Sequence, residues 1–292
     1  MSSPTSSAPA SSTAASDGPV QIRTGSSQYE AWVGAGLLER LPELLERAGL
    51  RGRSRVVADE TVWRLHGGAI EAALRDAGRD VALYTLPGGE EHKTLADAER
   101  MYDWLIEAGT DRGDHVVAVG GGVIGDMGGF VAATFLRGIP VVQVPTTLLA
   151  QVDSSIGGKT GVDHRLGKNL IGAFHQPSLV VADTRFLRTL PEREYRSGWA
   201  EIVKMAVIMD ADLFARLERR AETLLRFEDE VALAHAVRRS IELKGEVVGA
   251  DERESGLRVI LNYGHTIGHA VEAATGYRRL LHGEAVAIGM AG

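Results

Sequence analysis

The segment Asp114–Asp126, DHVVAVGGGVIGD, drives a short apolar run straight into three consecutive glycines. A buried strand, a tight turn and a helix start fit that order, and such a unit needs a parallel sheet around it. The same alternation recurs on either side. Arg53–Ala58 reads as a buried strand, followed by a helical segment to about Ala77. Asp80–Leu86 is a strand that stops at Pro87-Gly88-Gly89, and Leu95–Ala108 is helical. Ile139–Val144 is a strand ending at Pro145, and Leu179–Ala182 reads as one more. Residues 19–190 are therefore expected to form an α/β, Rossmann-like nucleotide-binding domain with a mainly parallel sheet. Ligands on such sheets sit at the carboxyl ends of the strands, where the Gly and Thr loops lie.

The strand pattern stops near residue 190. Glu192–Met209, Asp212–Glu228, Val231–Ala250, Leu257–Thr275 and Gly283 onward read as helices, so residues 191–292 are expected to form a second, all-helical domain. The sequence stops at Gly292 inside a helical pattern with no cap signal, which suggests an incomplete, C-terminally truncated domain. Residues 1–18 are a Ser/Ala/Pro tail without the basic start or apolar centre of a secretory signal. That reads as a disordered tail on a cytoplasmic protein. A net charge of −7 argues against nucleic acid or an anionic membrane as the main partner. With no cysteine, any metal must use His, Asp or Glu.

Gly120-x-Gly122-x-x-Gly125 follows a strand and opens a helix, where bare N–H groups suit a pyrophosphate. The usual acidic residue about 20 positions on is missing, and Asp126 is the substitute candidate for a ribose hydroxyl. The bland alternative is a tight turn. The loop Pro87–Lys93 also lies at a strand end, and alone it reads as a solvated turn. Lys159 and Lys168 flank a Gly-rich loop that carries Asn169. Lysine is a mobile point charge suited to phosphate, although surface lysines have the same look. A site for both a dinucleotide and a phosphate should oxidise or rearrange a phosphorylated metabolite. Glu201 and Lys204, three apart on a helix, read on spacing alone as a surface ion pair. His265 and His269, with His282 beyond, place three of nine histidines within 18 residues. That cluster favours a metal or catalytic site, and spacing alone nominates His265 and His269 as the ligand pair.

The blocks GGGVIGD, FLRG, QVPTTLLAQVDSSIGGKTGV, LGKNLIGAFHQP, LPERE, GWAEIVK, DERESGLR, LNYGHTIGHA and HGEAVAIGM follow one another in order. In this the chain resembles the 3-dehydroquinate synthase family of sugar-phosphate cyclases from about residue 88 to 292; the first 50 residues match weakly. The resemblance implies a nucleotide domain joined to a helical domain for metal and substrate, with the active site between them and a homodimer as the assembly. The implied NAD contacts are Asp59; Gly88, Gly89, Glu90, Glu91, His92 and Lys93; Gly122, Val123, Ile124, Gly125 and Asp126; Thr146 and Thr147; Lys159 and Lys168; and Phe186, Leu187, Arg188 and Thr189. Glu201, His265 and His282 would hold zinc or cobalt, which leaves His269 not as a ligand but either behind the ligands, supporting them, or handling protons. Arg137, Asp153, Lys159, Lys168, Asn169, Lys204, Lys244, Arg258, Asn262 and His269 would serve substrate and catalysis.

The implied substrate is 3-deoxy-arabino-heptulosonate 7-phosphate, converted to 3-dehydroquinate in the shikimate pathway. The steps are transient oxidation by NAD, phosphate elimination, re-reduction and aldol closure. The family carries a further active-site lysine and helices that the resemblance places beyond residue 292. Asp163 and Arg165 stand where many relatives have Asn and Pro. The competing expectations are a related cyclase of the aminodehydroquinate or sedoheptulose 7-phosphate type, an iron-type polyol dehydrogenase, and an inactive fragment.

Overall fold

The computed structural model describes residues 18–276 and 279–292. The tail expected over residues 1–18 falls, but for Gly18, outside the described residues. The strands are β1 (Val20–Arg23), β2 (Gln28–Gly34), β3 (Ser54–Asp59), β4 (Val81–Leu86), β5 (His115–Gly120), β6 (Val141–Pro145), β7 (Lys159–His164), β8 (Gly167–Phe174) and β9 (Leu179–Asp183). Seven of them form one sheet in the order β1-β2-β9-β6-β5-β3-β4. Only the β1–β2 edge pair is antiparallel; every other pairing in that sheet is parallel.

The apolar runs explain the layering. Every residue of β5 is buried, as a strand with helices on both faces requires. Successive side chains alternate between two cores. Val56, Ala58, Val117 and Val119 face one core, with Ile70 and Leu74. Val57, Val116 and Ala118 face the other, with Met101, Leu105 and Met127. The covering helices are α1 (Leu41–Arg47), α2 (Glu60–Asp76), α3 (Leu95–Glu107) and α4 (Gly122–Thr134).

The rest of the sequence forms α5 (Glu192–Met209), α6 (Ala211–Leu225), α7 (Glu230–Ala250), α8 (His265–Ala274) and α9 (His282–Ala291). Asp210 and Asp229 cap α6 and α7 by accepting from Leu213 N–H and Ala232 N–H, at 2.8 and 2.9 Å. Ile202, Leu213, Val237 and Ile241 share a core with Ile22, Val180 and Ala182 of the sheet. No helix among the described residues is long and apolar enough to cross a membrane.

Two expectations change. The helix expected over Leu257–Thr275 is broken: Leu257–Asn262 is a 3₁₀ turn, Gly264 takes φ 78°, and α8 starts at His265. A left-handed residue ends one helix and reorients the next, which brings His265 to the start of a helix. The Gly-rich loop is in part a hairpin of β7 and β8.

Candidate active site

A cleft of about 910 Å³ lies over the carboxyl ends of β3, β5 and β6, with residues of α5, α8 and α9 forming its other wall. On the sheet side, α4 begins at Gly122 with Gly121 as its N-cap and no side chain capping it. Its first-turn N–H groups and positive dipole end are thus left to the cleft. Beside it, the buried Thr146 hydroxyl has no hydrogen-bond partner. An unpaired buried hydroxyl is destabilising unless a ligand meets it. Asp59 accepts from Thr61 and Val62 N–H through Oδ1, at 2.8 and 2.9 Å.

Lys93 is buried, and its ammonium donates to Asp126 and to the Asn169 side-chain carbonyl, each at 2.6 Å. Burial penalises that ammonium, but the Asp126 carboxylate outweighs it and holds the Lys93 pKa above its ordinary value. Burial in turn pushes the Asp126 carboxyl up. Asn169 sits at φ 56°, with its N–H donating to Asp163 at 2.7 Å. Lys168 stands 3.4 Å from Glu90. The loop after β4, the start of α4 and the β7–β8 hairpin are therefore tied together at the cleft mouth.

The cleft gathers many of the expected nucleotide contacts: Asp59, Gly88, Gly89, Glu90, Lys93, Gly122, Val123, Ile124, Asp126, Thr146, Thr147, Lys168, Phe186 and Thr189. Other expected contacts turn elsewhere. The Leu187 side chain is in the core shared with the helices, and Arg188 pairs with Glu230. Gly125 lies against Gln143, which donates to its carbonyl at 3.0 Å. Glu91 and His92 do not line the cleft.

On the helical side, Glu201 of α5 meets the first residues of α8 and α9, His265 and His282. Their ligand atoms all lie within 4.8 Å of one another. Glu201 is 1% exposed. It pairs with buried Lys204 through Oε2, so this pair is not the surface ion pair that spacing suggested. Glu201 Oε1 has no hydrogen-bond partner and faces His265 Nε2 at 3.8 Å and His282 Nε2 at 3.9 Å. Burial and the neighbouring Asp153 charge raise the Glu201 pKa.

Both imidazoles present the same nitrogen. His265 Nδ1 is 3.3 Å from the Tyr263 carbonyl and His282 Nδ1 is 3.2 Å from Glu272 Oε1. A carbonyl or carboxylate oxygen only accepts, so each Nδ1 carries a hydrogen and each Nε2 is the nitrogen turned toward Glu201. Burial first, and then the Lys204 cation, press His265 down to about 4, which keeps that ring neutral at pH 7. Two imidazole Nε2 atoms and a carboxylate without a hydrogen bond at Oε1 fit a divalent ion with room for a further ligand. A second group, His269, Glu272 and His282, shares His282. Glu272 was not singled out in the sequence, although it lies three residues beyond His269.

Deeper in, Lys244 donates to the Asp153 carboxylate at 2.5 Å and to its backbone carbonyl at 2.7 Å. Burial opposes the Asp153 charge, but Lys244 and Lys204 outweigh it and hold the carboxyl far below its usual range. Burial lowers Lys244 itself. Asp153 lies in a π-helical turn, Ala150–Ser154, a feature often found at functional sites. Arg258 is buried and donates to the carbonyls of Glu252, at 2.8 Å, and Gly157, at 3.3 Å. Lys159 pairs with Glu254 outside the cleft wall. Asn262 is exposed in the 3₁₀ turn before α8. Arg137 is exposed just past the C-terminal end of α4, a helix about 20 Å long whose start is at the cleft. Within this chain the fold does not bring Arg137 to the site.

The 3-dehydroquinate synthase N-terminal family matches residues 83–197 and the 3-dehydroquinate synthase C-terminal family matches residues 198–292. A 3-dehydroquinate synthase of Pelobacter propionicus is 52% identical over 269 residues, which covers 92% of this chain and 75% of that protein. The chain belongs to the 3-dehydroquinate synthase family. It is thereby a phosphate-eliminating lyase. Among solved structures it is similar to a 2-epi-5-epi-valiolone synthase from Streptomyces hygroscopicus with NAD+ and Zn2+ bound, at 36% identity and TM-score 0.82, covering 90% of this chain and 72% of the other. It is also similar to a 2-deoxy-scyllo-inosose synthase complexed with carbaglucose-6-phosphate, NAD+ and Co2+, at 30% identity and TM-score 0.83, covering 92% and 74%.

Proposed function

We propose that the cleft holds NAD against the sheet, a divalent ion at Glu201, His265 and His282, and 3-deoxy-arabino-heptulosonate 7-phosphate between them, releasing phosphate and 3-dehydroquinate. One observation carries this. An uncapped helix start with the partnerless Thr146 hydroxyl lies on one side of the cleft, and His282 of the Glu/His/His group lines the other. The relatives with NAD+ and Zn2+ or Co2+ bound support the choice of cofactors.

A divalent ion in this site would bind adjacent hydroxyls and favour loss of their protons, while NAD would accept and return a hydride. The chain's own residues do the rest. Asp153, held ionised by Lys244, accepts a hydrogen bond from a substrate hydroxyl. Lys204, beside Glu201, keeps positive charge where an alkoxide would develop. Lys168 and Asn169 at the cleft mouth, with Lys159 beyond it, are placed for the anionic groups of the substrate. Each charge-assisted hydrogen bond of this kind contributes roughly 1.5–3 kcal/mol. His269 Nε2, 4.0 Å from Glu272 Oε2, stands outside the ligand set and is available to move a proton. A homodimer and a cytoplasmic location complete the reading and rest on the family alone.

The test is phosphate release from the heptulosonate phosphate with catalytic NAD and zinc. Release without net NADH supports the reading. Net NADH from a polyol with no phosphate released would favour a dehydrogenase. Turnover of sedoheptulose 7-phosphate in preference to the heptulosonate would move the chain to a sister cyclase.

A further inference from the structure

We infer that Glu272 is a positioning residue for the metal site, and that it acts by holding the His282 ring from the side opposite the ion. The inference rests on Glu201, His265 and His282 being the ligands. His282 Nδ1 lies 3.2 Å from Glu272 Oε1, while its Nε2 faces Glu201 Oε1 at 3.9 Å. The two nitrogens point away from each other across the ring, so a single ion can use only one of them. The carboxylate that accepts from Nδ1–H fixes the tautomer and makes Nε2 a stronger donor.

Glu272 is placed for this by the fold. It is 9% exposed and lies seven residues beyond His265, two turns along the same face of α8. The backbone of His282 is fixed separately. Gly283 N–H donates to Ser197 Oγ at 3.1 Å, and Leu281 N–H to Glu284 at 2.9 Å. Arg193 of α5 clamps Glu284 with two bonds of 2.7 Å. Helix α5 thus sets where His282 begins, and α8 sets which way its ring turns. His269 comes no nearer to Glu272 than 4.0 Å and stays exposed, so it does not share this task.

The test measures zinc affinity by chelator competition and the visible spectrum of the cobalt-loaded protein. The variants are Glu272→Ala, Glu272→Gln, His269→Ala, Glu201→Ala and His265→Ala. Glu272→Ala should still bind one ion, about 10–100-fold more weakly, with a perturbed cobalt spectrum. Glu272→Gln should recover part of the affinity, because its amide oxygen still accepts from Nδ1–H. His269→Ala should bind as the parent does. Parental affinity and spectrum in Glu272→Ala would overturn the inference. So would complete loss of the ion in both Glu272→Ala and His269→Ala, which would place it in the outer group. Retention of the ion by Glu201→Ala and His265→Ala would instead defeat the ligand reading beneath it. Should Glu272→Ala fail to fold, the Gln variant decides: parental affinity and an unshifted cobalt spectrum there would refute the role.

Discussion

Gly283→Ala should disable the metal site without touching a ligand. A Cβ at position 283 would lie 1.9 Å from the Ser197 carbonyl oxygen and 2.8 Å from its Oγ. Ordinary contact begins near 3.4 Å, so α9 would have to back away from α5 by about 1.5 Å. The atom struck first is backbone, and no rotamer change relieves the clash. Overpacking of this kind costs about 1–3 kcal/mol, and the bond from Gly283 N–H to Ser197 contributes about 1 kcal/mol more. The larger effect falls on the ion. Glu201 rides on α5 and His282 on α9, while metal–ligand distances tolerate only about 0.2 Å. Zinc affinity should therefore drop by about 100-fold or more. Urea unfolding of the metal-free protein and chelator competition read the two effects separately. Gly68→Ala is the control: its Cβ would meet nothing within 4 Å on an exposed helix position, so it should stabilise by about 0.5–1 kcal/mol. Unchanged zinc affinity in Gly283→Ala, with stability within about 0.5 kcal/mol of the parent, would refute the reasoning.

Three more outcomes are expected. Burial presses His115 down to about 4, so the unfolded chain takes up a proton below about pH 6.5 while the folded one stays neutral; stability should fall by about 2 kcal/mol between pH 7.5 and 5, and His115→Gln should flatten that part of the urea-midpoint profile. Lys93→Ala leaves the half-buried Asp126 without its cation and should cost about 2 kcal/mol; the double variant with Asp126→Ala should cost less than the two single losses added, and strict additivity would argue against the pair. Lys159→Ala should weaken phosphate-bearing substrate by about 10-fold or more and leave NAD affinity nearly unchanged; normal kinetics would remove Lys159 from the site.

The parallel core was legible because its strands are short apolar runs ended by Gly or Pro. β5 and β6 lie within a residue or two of where the pattern put them, and α5 matches at both ends. The β7–β8 hairpin was not legible. Most of β8 is exposed, so no alternation of apolar residues marks it, and its glycines read as a loop. The break before α8 was hidden because Gly264 is one residue inside a helical pattern, and only its positive φ reveals the stop. The site divides in the same way. Glycine and threonine loops announce themselves, whereas Glu201 and Lys204 have ordinary helical spacing and become unusual only once buried. His265 and His269 share the favoured spacing, yet the group that could hold an ion joins His265 to Glu201 and His282, which no spacing announces because it depends on how α9 docks.

That docking would make an ion held there more than a reagent. Residues 201 and 282 are 81 apart in the chain, and a single ion would clasp them. The clasp would close a long loop by tying α9 to α5, much as a cross-link does. A thousandfold excess of ion over its dissociation constant would then add about 4 kcal/mol to the folded state. Metal scarcity would be felt first as a loosened α9, before any change in chemistry.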